Sequence, residues 1–79
     1  MPAIYTRAND SWASAIRAAR AKAGLTQLEL AKALGMNQQD VSKLETGRRP
    51  LKAPEIPIVA KACKMTPAQL FKVFLALYG

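Results

Sequence analysis

The chain has 79 residues, 51% of them hydrophobic and 22% charged, so its length and composition predict one small globular domain. It has no histidine and a single cysteine, Cys63, which excludes an intramolecular disulfide, a Cys/His zinc site and a histidine-based catalytic pair. Twelve Lys and Arg against five Asp and Glu give a net charge of +7, which attracts polyanions without distinguishing DNA from RNA or an acidic membrane.

The N-terminal residues show no clear helical period. Residues 1–9 contain Pro2 and are expected to form an arm in front of a domain that spans residues 10–79. Charged side chains interrupt the segment where a signal peptide would need an apolar core, and no apolar run reaches the length of about 18 residues that suggests a membrane span. We therefore expect a cytoplasmic protein that has no contact with a membrane.

The first helix is predicted to start at about Asp10 or Ser11, either of which can cap it. Its apolar positions recur at helical spacing: Trp12, Ile16, Ala19 and Ala23. Gly24 follows, and glycine readily adopts the left-handed conformation that ends many helices. These signals predict a helix that ends just before residue 24.

The second helix is predicted over residues 26–34. Thr26 and Glu29 stand three positions apart as a capping box, in which each side chain accepts a hydrogen bond from the other residue's backbone amide. Gly35 is suited to closing this helix. The helix is therefore short, about two and a half turns.

The third helix begins only about three residues later. Asn37 is its predicted cap, with Asp40 at the third helical position, and Gly47 follows its end at Glu45 or Thr46. So short a connection cannot lay two helices side by side, and the second and third helices must cross at a steep angle. This arrangement is typical of a helix-turn-helix.

The third helix carries a polar face that is suited to reading DNA. Val41 and Leu44 are expected to face inward, which leaves the polar side chains outward: Asn37, Gln38, Gln39, Ser42, Lys43 and Thr46. In the major groove Gln pairs with adenine and Lys with guanine. Any surface helix has a polar outer face, but an ordinary one usually alternates Lys with Glu, and here Asp40 is the one carboxylate on the outer face.

Two further helices complete the prediction. The fourth is expected from about Glu55 or Pro57 to Cys63, with these side chains inward: Ile58, Val59 and Ala62. Thr66 and Gln69 form another capping box, from which a fifth helix runs to Leu77 or Tyr78. Five helices with short links and no segment of strand period predict a compact all-α domain.

Most of the chain resembles the lambda-repressor/Cro-type helix-turn-helix family of phage and bacterial transcriptional regulators. The resemblance runs from Ile16 to Phe71 and rests on the segments RAKAGLTQLELAKALGMNQQDVSKLETGRR and VAKACKMTPAQLF. It implies the five-helix fold of that family and binding to double-stranded DNA.

The resemblance also implies which side chains contact DNA. Those that read bases would be Gln38, Gln39, Ser42 and Lys43. Those that contact the DNA backbone would be Gln27, Arg48, Arg49 and Lys52. Asn37 and Thr46, at the two ends of the third helix, are expected to contact the backbone as well. The loop from Arg48 to Pro57 departs from the family pattern because it is rich in proline.

In the same family an Arg late in the first helix pairs with the Glu that ends the third helix. Both residues occur here, as Arg20 and Glu45. We interpret them as a partly buried structural pair and not as DNA contacts. Breaking such a pair typically costs several kcal/mol, because one charge is left uncompensated.

The fifth helix is apolar on nearly all sides, and a small monomer cannot cover every face of such a helix. We therefore expect it to form the interface of a homodimer through four side chains: Phe71, Phe74, Leu75 and Tyr78. The alternative is that the core of a single chain uses most of these side chains.

The sequence thus predicts a transcriptional regulator that is not an enzyme, needs no cofactor or metal, and represses transcription as a homodimer at a palindromic operator. One alternative is an antitoxin-type regulator, which also binds and neutralises a partner protein. A second alternative is a helical protein-interaction module that does not bind DNA. The net positive charge of the chain and the scarcity of Glu on the outer face of the third helix disfavour this alternative.

Overall fold

The computed structural model describes residues 3–78, which form five α-helices and one short 3-10 helix. In chain order these are α1 (Ala3–Ala23), α2 (Gln27–Leu34), α3 (Gln38–Glu45), the 3-10 helix (Ala53–Glu55), α4 (Ile56–Ala62) and α5 (Pro67–Tyr78). The predicted five-helix, all-α fold is confirmed. None of the helices within this range is both long and apolar enough to cross a membrane.

Helix α1 is longer than the sequence indicated. It begins at Ala3, so the prediction of an arm over residues 1–9 is wrong for residues 3–9, while Met1 and Pro2 lie outside the described residues. The extension is held by contacts with distant parts of the chain. The Arg7 guanidinium donates to the backbone carbonyl of Tyr78 at 2.6 Å and lies 5.0 Å from the centre of the Tyr78 ring.

Helices α2 and α3 begin and end where the local signals placed them. The backbone amide of Glu29 donates to the Thr26 hydroxyl at 3.1 Å, and the amide of Thr26 donates to the Glu29 carboxylate at 2.9 Å. The bond from the Thr26 amide lowers the pKa of Glu29, because it stabilises the charged carboxylate, and the Thr26 side chain lowers it further. Gly35 closes α2 with a φ of +68°, and the Asp40 amide donates to the Asn37 side-chain oxygen at 2.8 Å.

The core lies where α1, α2, α3, α4 and α5 meet. Helix α1 packs against α3 and α5, and α4 packs against α2 and α5. The largest fully buried side chains are Ile16, Leu30, Val41, Leu44, Val59 and Leu70. Cys63 is also buried in this core, and burial raises the pKa of its thiol. Cys63 is therefore a small core residue that stays protonated at neutral pH.

Helix α4 differs from the prediction at one of the three positions that were expected to face the core. Ile58 is 43% exposed, so the prediction that it points inward is wrong. The inward positions of Val59, which is buried, and of Ala62, which is half-buried against the core, are confirmed, and Ala60 and Cys63 are buried as well. Val59 and Cys63 are four residues apart and share a helix face, and Ile58 lies about 100° away from Val59 around the helix axis.

Helix α5 begins with the predicted capping box, in which the Gln69 amide donates to the Thr66 hydroxyl at 3.1 Å and the Thr66 amide donates to the Gln69 side chain at 2.8 Å. Further along, Phe74 is only 8% exposed, because its ring stacks on Trp12 at 4.2 Å and on Tyr78 at 5.3 Å between ring centres. Phe74 belongs to the core of the single chain, contrary to its predicted place in a dimer interface.

Candidate nucleic-acid interface

Two eight-residue helices, α2 and α3, form a helix-turn-helix. Only residues 35–37 separate them, and the left-handed backbone of Gly35 turns the chain between them. The amide of Met36 donates to the carbonyl of Ala31 at 3.0 Å, which ties the turn to the end of α2. The inner side of α3 is fixed to the core by Val41 and Leu44, at 0% and 1% exposure.

The outer side of α3 is open to solvent. The exposed side chains on this helix and its two flanking residues are Asn37, Gln38, Gln39, Lys43 and Thr46. Ser42 and Asp40 are half-buried. Lys43 forms no ion pair with any residue in the described part of the chain. The structure therefore exposes amide and ammonium groups on one side of α3, while the other side of α3 is packed against the core.

The predicted pair between Arg20 and Glu45 lies beneath this surface. Arg20 donates to the two carboxylate oxygens of Glu45 at 2.5 and 3.0 Å, and to the carbonyl of Leu25 at 2.9 Å. The Glu45 side chain is 2% exposed and that of Arg20 is 18% exposed. The pair joins α1 to the end of α3 and to the start of the α1–α2 connection.

Gln27 connects this buried pair to the outer surface. Its amide nitrogen donates to Glu45 at 3.1 Å, and its amide oxygen accepts a longer bond of 3.5 Å from the amide nitrogen of Gln38. The sequence resemblance assigned Gln27 to a DNA phosphate; in the structure its amide oxygen and one amide hydrogen bond within the protein, and the second amide hydrogen is left for such a contact. Only the folded chain brings residues 27, 38 and 45 together, so no local pattern predicted this contact.

Helix α1 also supports the C-terminal end of α3, a role that sequence reasoning missed. Arg17 donates to the carbonyl of Glu45 at 2.8 Å, and Asn9 donates to the carbonyl of Gly47 at 2.8 Å. Carbonyls at the end of a helix have no partner within the helix, so these donors satisfy otherwise free acceptors. Asn9, Arg17 and Arg20 lie on one side of α1, a pattern that becomes visible once the helix is extended past Asp10.

The cations of the basic loop after α3 are of two kinds: those paired with a carboxylate of the protein and those without such a partner. Arg49 donates to both carboxylate oxygens of Glu55 at 3.0 and 2.7 Å, and this hydrogen bonding lowers the pKa of Glu55. Arg48 and Lys52 are exposed and form no ion pair within the described residues. The backbone amide of Arg48 donates to the carbonyl of Lys43 at 2.9 Å, which fixes the start of the loop against α3.

The exposed surface of α3 carries groups that donate and accept hydrogen bonds. Among residues 3–78, no three Cys, Asp or Glu side chains lie together so that they could hold a metal ion. The side chains that α3 exposes are amides, an ammonium and a hydroxyl. Such groups hydrogen-bond to the edges of base pairs and to phosphates.

Comparison with known proteins identifies the same region. The family model for a helix-turn-helix domain matches residues 13–71, which include all of α2, α3 and α4. A crystal structure of the clp gene regulator ClgR from Corynebacterium glutamicum is 25% identical, with a TM-score of 0.80 over 96% of this chain and 94% of that chain. A second ClgR crystal structure is also 25% identical, with a TM-score of 0.83 over 90% of this chain and 76% of that chain.

A search of curated proteins finds no match to the sequence. The match to the family model nevertheless covers well over half of the chain and contains both helices of the motif. The similar structures also extend to nearly the whole described fold, including α1 and α5. These findings agree with the resemblance to lambda-repressor/Cro-type regulators, and the chain belongs to the helix-turn-helix domain family.

Proposed function

We propose that this protein is a transcriptional regulator that binds double-stranded DNA by placing α3 in the major groove. The observation that carries the proposal is the exposure of Gln38, Gln39 and Lys43 on one side of a helix whose other side is buried in the core through Val41 and Leu44. Membership of the helix-turn-helix family, similarity to structures described as a gene regulator, and a net charge of +7 support it.

In this proposal Gln38, Gln39 and Lys43 read bases, with Ser42 beside them. The amide of Gln38 donates one hydrogen to Gln27, which leaves one donor hydrogen and the amide oxygen free. One donor and one acceptor are what the major-groove edge of adenine requires. Gln38 would thus be held in an orientation that favours adenine, while the Lys43 ammonium would favour guanine.

Contacts to phosphates set the position of α3 in the groove. Arg48 and Lys52 are the loop cations that remain free to make them, and the amide nitrogen of Asn37 is a further donor. Thr46 would join them once its hydroxyl turns away from the carbonyl of Ser42, to which it donates at 2.9 Å. Arg49 would hold the loop in shape through Glu55. Gln27 would act from inside the protein by orienting Gln38.

The experiment that tests this proposal starts from duplexes selected out of a random pool by the purified protein. Binding is then measured by fluorescence anisotropy on the selected duplex and on a scrambled one. Gln38→Ala and Lys43→Ala are each expected to lose about 1–3 kcal/mol on the selected duplex and less on the scrambled one. Lys61→Ala is the matched control, because it removes an exposed positive charge from α4.

Two results would reject α3 as the reading helix. One is an equal loss of affinity on both duplexes for the α3 variants, which would leave only general electrostatic binding. The other is a loss for Lys61→Ala as large as that for Lys43→Ala.

We further propose that the protein binds as a homodimer and represses transcription by covering a palindromic operator. Two recognition helices would then enter successive major grooves about 34 Å apart. Phe71 and Leu75 support a dimer surface on α5, because they lie four residues apart on one helix face and are 46% and 47% exposed. A chain of this length buries only about 60% of its unfolded surface, so a second copy adds needed apolar burial.

Sedimentation equilibrium tests the dimer. The unmodified protein is expected to be dimeric at micromolar concentration, and Phe71→Glu to be monomeric with an unchanged helical circular dichroism spectrum. Ala76→Glu, an exposed change on the same helix, serves as the control and should remain dimeric. A Phe71→Glu protein that stays dimeric would place the interface elsewhere.

A further inference from the structure

A second positively charged site lies in a cleft of about 580 Å³ between the end of α1, the turn after α4, and α5. Each of these three elements contributes one lysine to its walls, as Lys22, Lys64 and Lys72. No residue that lines the cleft carries a negative charge. None of the residues proposed to contact DNA lines it either.

The three lysines have no partner for their charges in the described part of the chain. Its two ion pairs are Arg20 with Glu45 and Arg49 with Glu55, and neither includes a lysine. A concave wall that carries several charges of one sign concentrates their field. The chemical complement of this arrangement is a small anion that carries more than one negative charge.

The backbone at Lys64 points to the same conclusion. Its φ of +59° makes it the one non-glycine residue with positive φ in the described chain. It follows the end of α4, where glycine is the usual residue because any side chain is strained in the left-handed region. Lys61 already places a positive charge in the last turn of α4, so the helix dipole does not require a second lysine here.

The rest of the cleft offers an apolar wall and one polar donor. Met65 and Val73 line it together with the buried Cys63. Gln69 also lines it, and its side-chain oxygen accepts a hydrogen bond from Thr66, which leaves the amide nitrogen of Gln69 available to donate. Lysine ammonium groups and amide donors bind phosphate oxygens, while an apolar wall accommodates a ring or hydrocarbon.

We propose that this cleft binds a small phosphorylated organic molecule. Its phosphate would lie among Lys22, Lys64 and Lys72, and its apolar part would lie against Met65 and Val73. A volume of about 580 Å³ falls within the range of small-molecule sites. The proposal for this cleft is independent of the proposed function in DNA binding, and its test contains no DNA.

The test is an NMR titration of the ¹⁵N-labelled full chain with phenyl phosphate and with inorganic phosphate at constant ionic strength. Saturable shifts are expected for the amides around the cleft, with phenyl phosphate binding several-fold tighter than inorganic phosphate. Lys22→Gln and Lys72→Gln should each weaken phenyl phosphate by about tenfold, the size of one lost charge-assisted bond. Lys32→Gln is the control, because Lys32 is exposed on α2 outside the cleft and its loss should change nothing.

Lys64→Gly separates binding from folding. Glycine relieves the left-handed backbone and removes the charge, so the variant should melt at the same temperature as the unmodified protein or higher while binding phenyl phosphate more weakly. A Lys64→Gly protein that binds phenyl phosphate normally would overturn the proposal. Equal binding of phenyl phosphate and inorganic phosphate would also overturn it, because the apolar wall would then have no role.

The phosphate that these lysines bind could instead belong to the DNA backbone. A separate measurement distinguishes DNA phosphates from a free molecule. If the cleft takes a free molecule, Lys22→Gln and Lys72→Gln should leave the dependence of DNA affinity on salt unchanged. A slope of log Kd against log salt that falls by about one for either variant would assign these lysines to the DNA backbone and overturn the proposal. If the protein binds phenyl phosphate but no DNA, the proposed function in DNA binding is wrong, while the proposal of a phosphate-binding cleft stands.

Discussion

Replacing Arg20 with methionine removes the partner of the most deeply buried carboxylate in the described chain. Glu45 is 2% exposed and accepts bonds of 2.5 and 3.0 Å from Arg20, so the variant leaves it with a single side-chain donor, the neutral amide of Gln27 at 3.1 Å. Breaking a buried pair in this way costs about 3–5 kcal/mol. Arg20 is itself 18% exposed, and the access of water there favours the lower end, about 3 kcal/mol.

That loss is large on the scale of the whole domain. At about 0.05–0.15 kcal/mol per residue, a chain of 79 residues has a total stability of about 4–12 kcal/mol. For a small domain the free energy of unfolding falls by about 1 kcal/mol per molar urea. The urea midpoint of Arg20→Met is therefore expected to fall by about 3 M, with a similar slope.

The assay is urea unfolding followed by circular dichroism for four proteins: the unmodified chain, Arg20→Met, Glu45→Met and the double variant. Because the double variant buries no unpaired charge, it should be more stable than Arg20→Met alone. Two results would refute the reasoning. One is a loss of less than about 1 kcal/mol for Arg20→Met, and the other is a double variant whose loss equals the sum of the two single losses.

The remaining predictions concern the loop after α3 and the helix caps. The pKa of Glu55 lies below its ordinary value of 4.5, chiefly because Arg49 donates to it. The stability from this bond is present above pH 4.5 and is lost as the pH falls through the lowered pKa, so Glu55→Gln should flatten the acid side of a plot of urea midpoint against pH. Arg48→Ala should weaken binding to all duplexes and reduce the salt slope by about one; an unchanged slope in anisotropy titrations would exclude a phosphate contact. Gly47→Ala should cost about 1–2 kcal/mol in urea unfolding, because Gly47 has a φ of +77°. Thr66→Ala should cost about 1 kcal/mol in the same assay by removing the cap of α5, and unchanged stability would show that the cap contributes nothing.

The sequence alone determined the positions of α2, α3 and α5 and the all-α class. Their ends depend on hydrogen bonds between residues three positions apart, such as Thr26 with Glu29 and Thr66 with Gln69, and on glycines that take a left-handed backbone. These interactions are local, so the chemistry of neighbouring residues is sufficient to predict them. The pairing of Arg20 with Glu45 was also foreseen, from the family resemblance and not from any local pattern.

Tertiary structure decided the features that depend on residues far apart in the chain. Helix α1 starts at Ala3, where contacts between its first turns and α5 hold the extension that local patterning did not predict. Phe74 lies in the core because Trp12 lies beside it, and Arg49 pairs with Glu55 across the turn of the loop. The gathering of three lysines from α1, the turn after α4, and α5 has the same origin. Helical spacing shows that a side chain will be buried somewhere, but the packing of the helices decides which neighbour buries it.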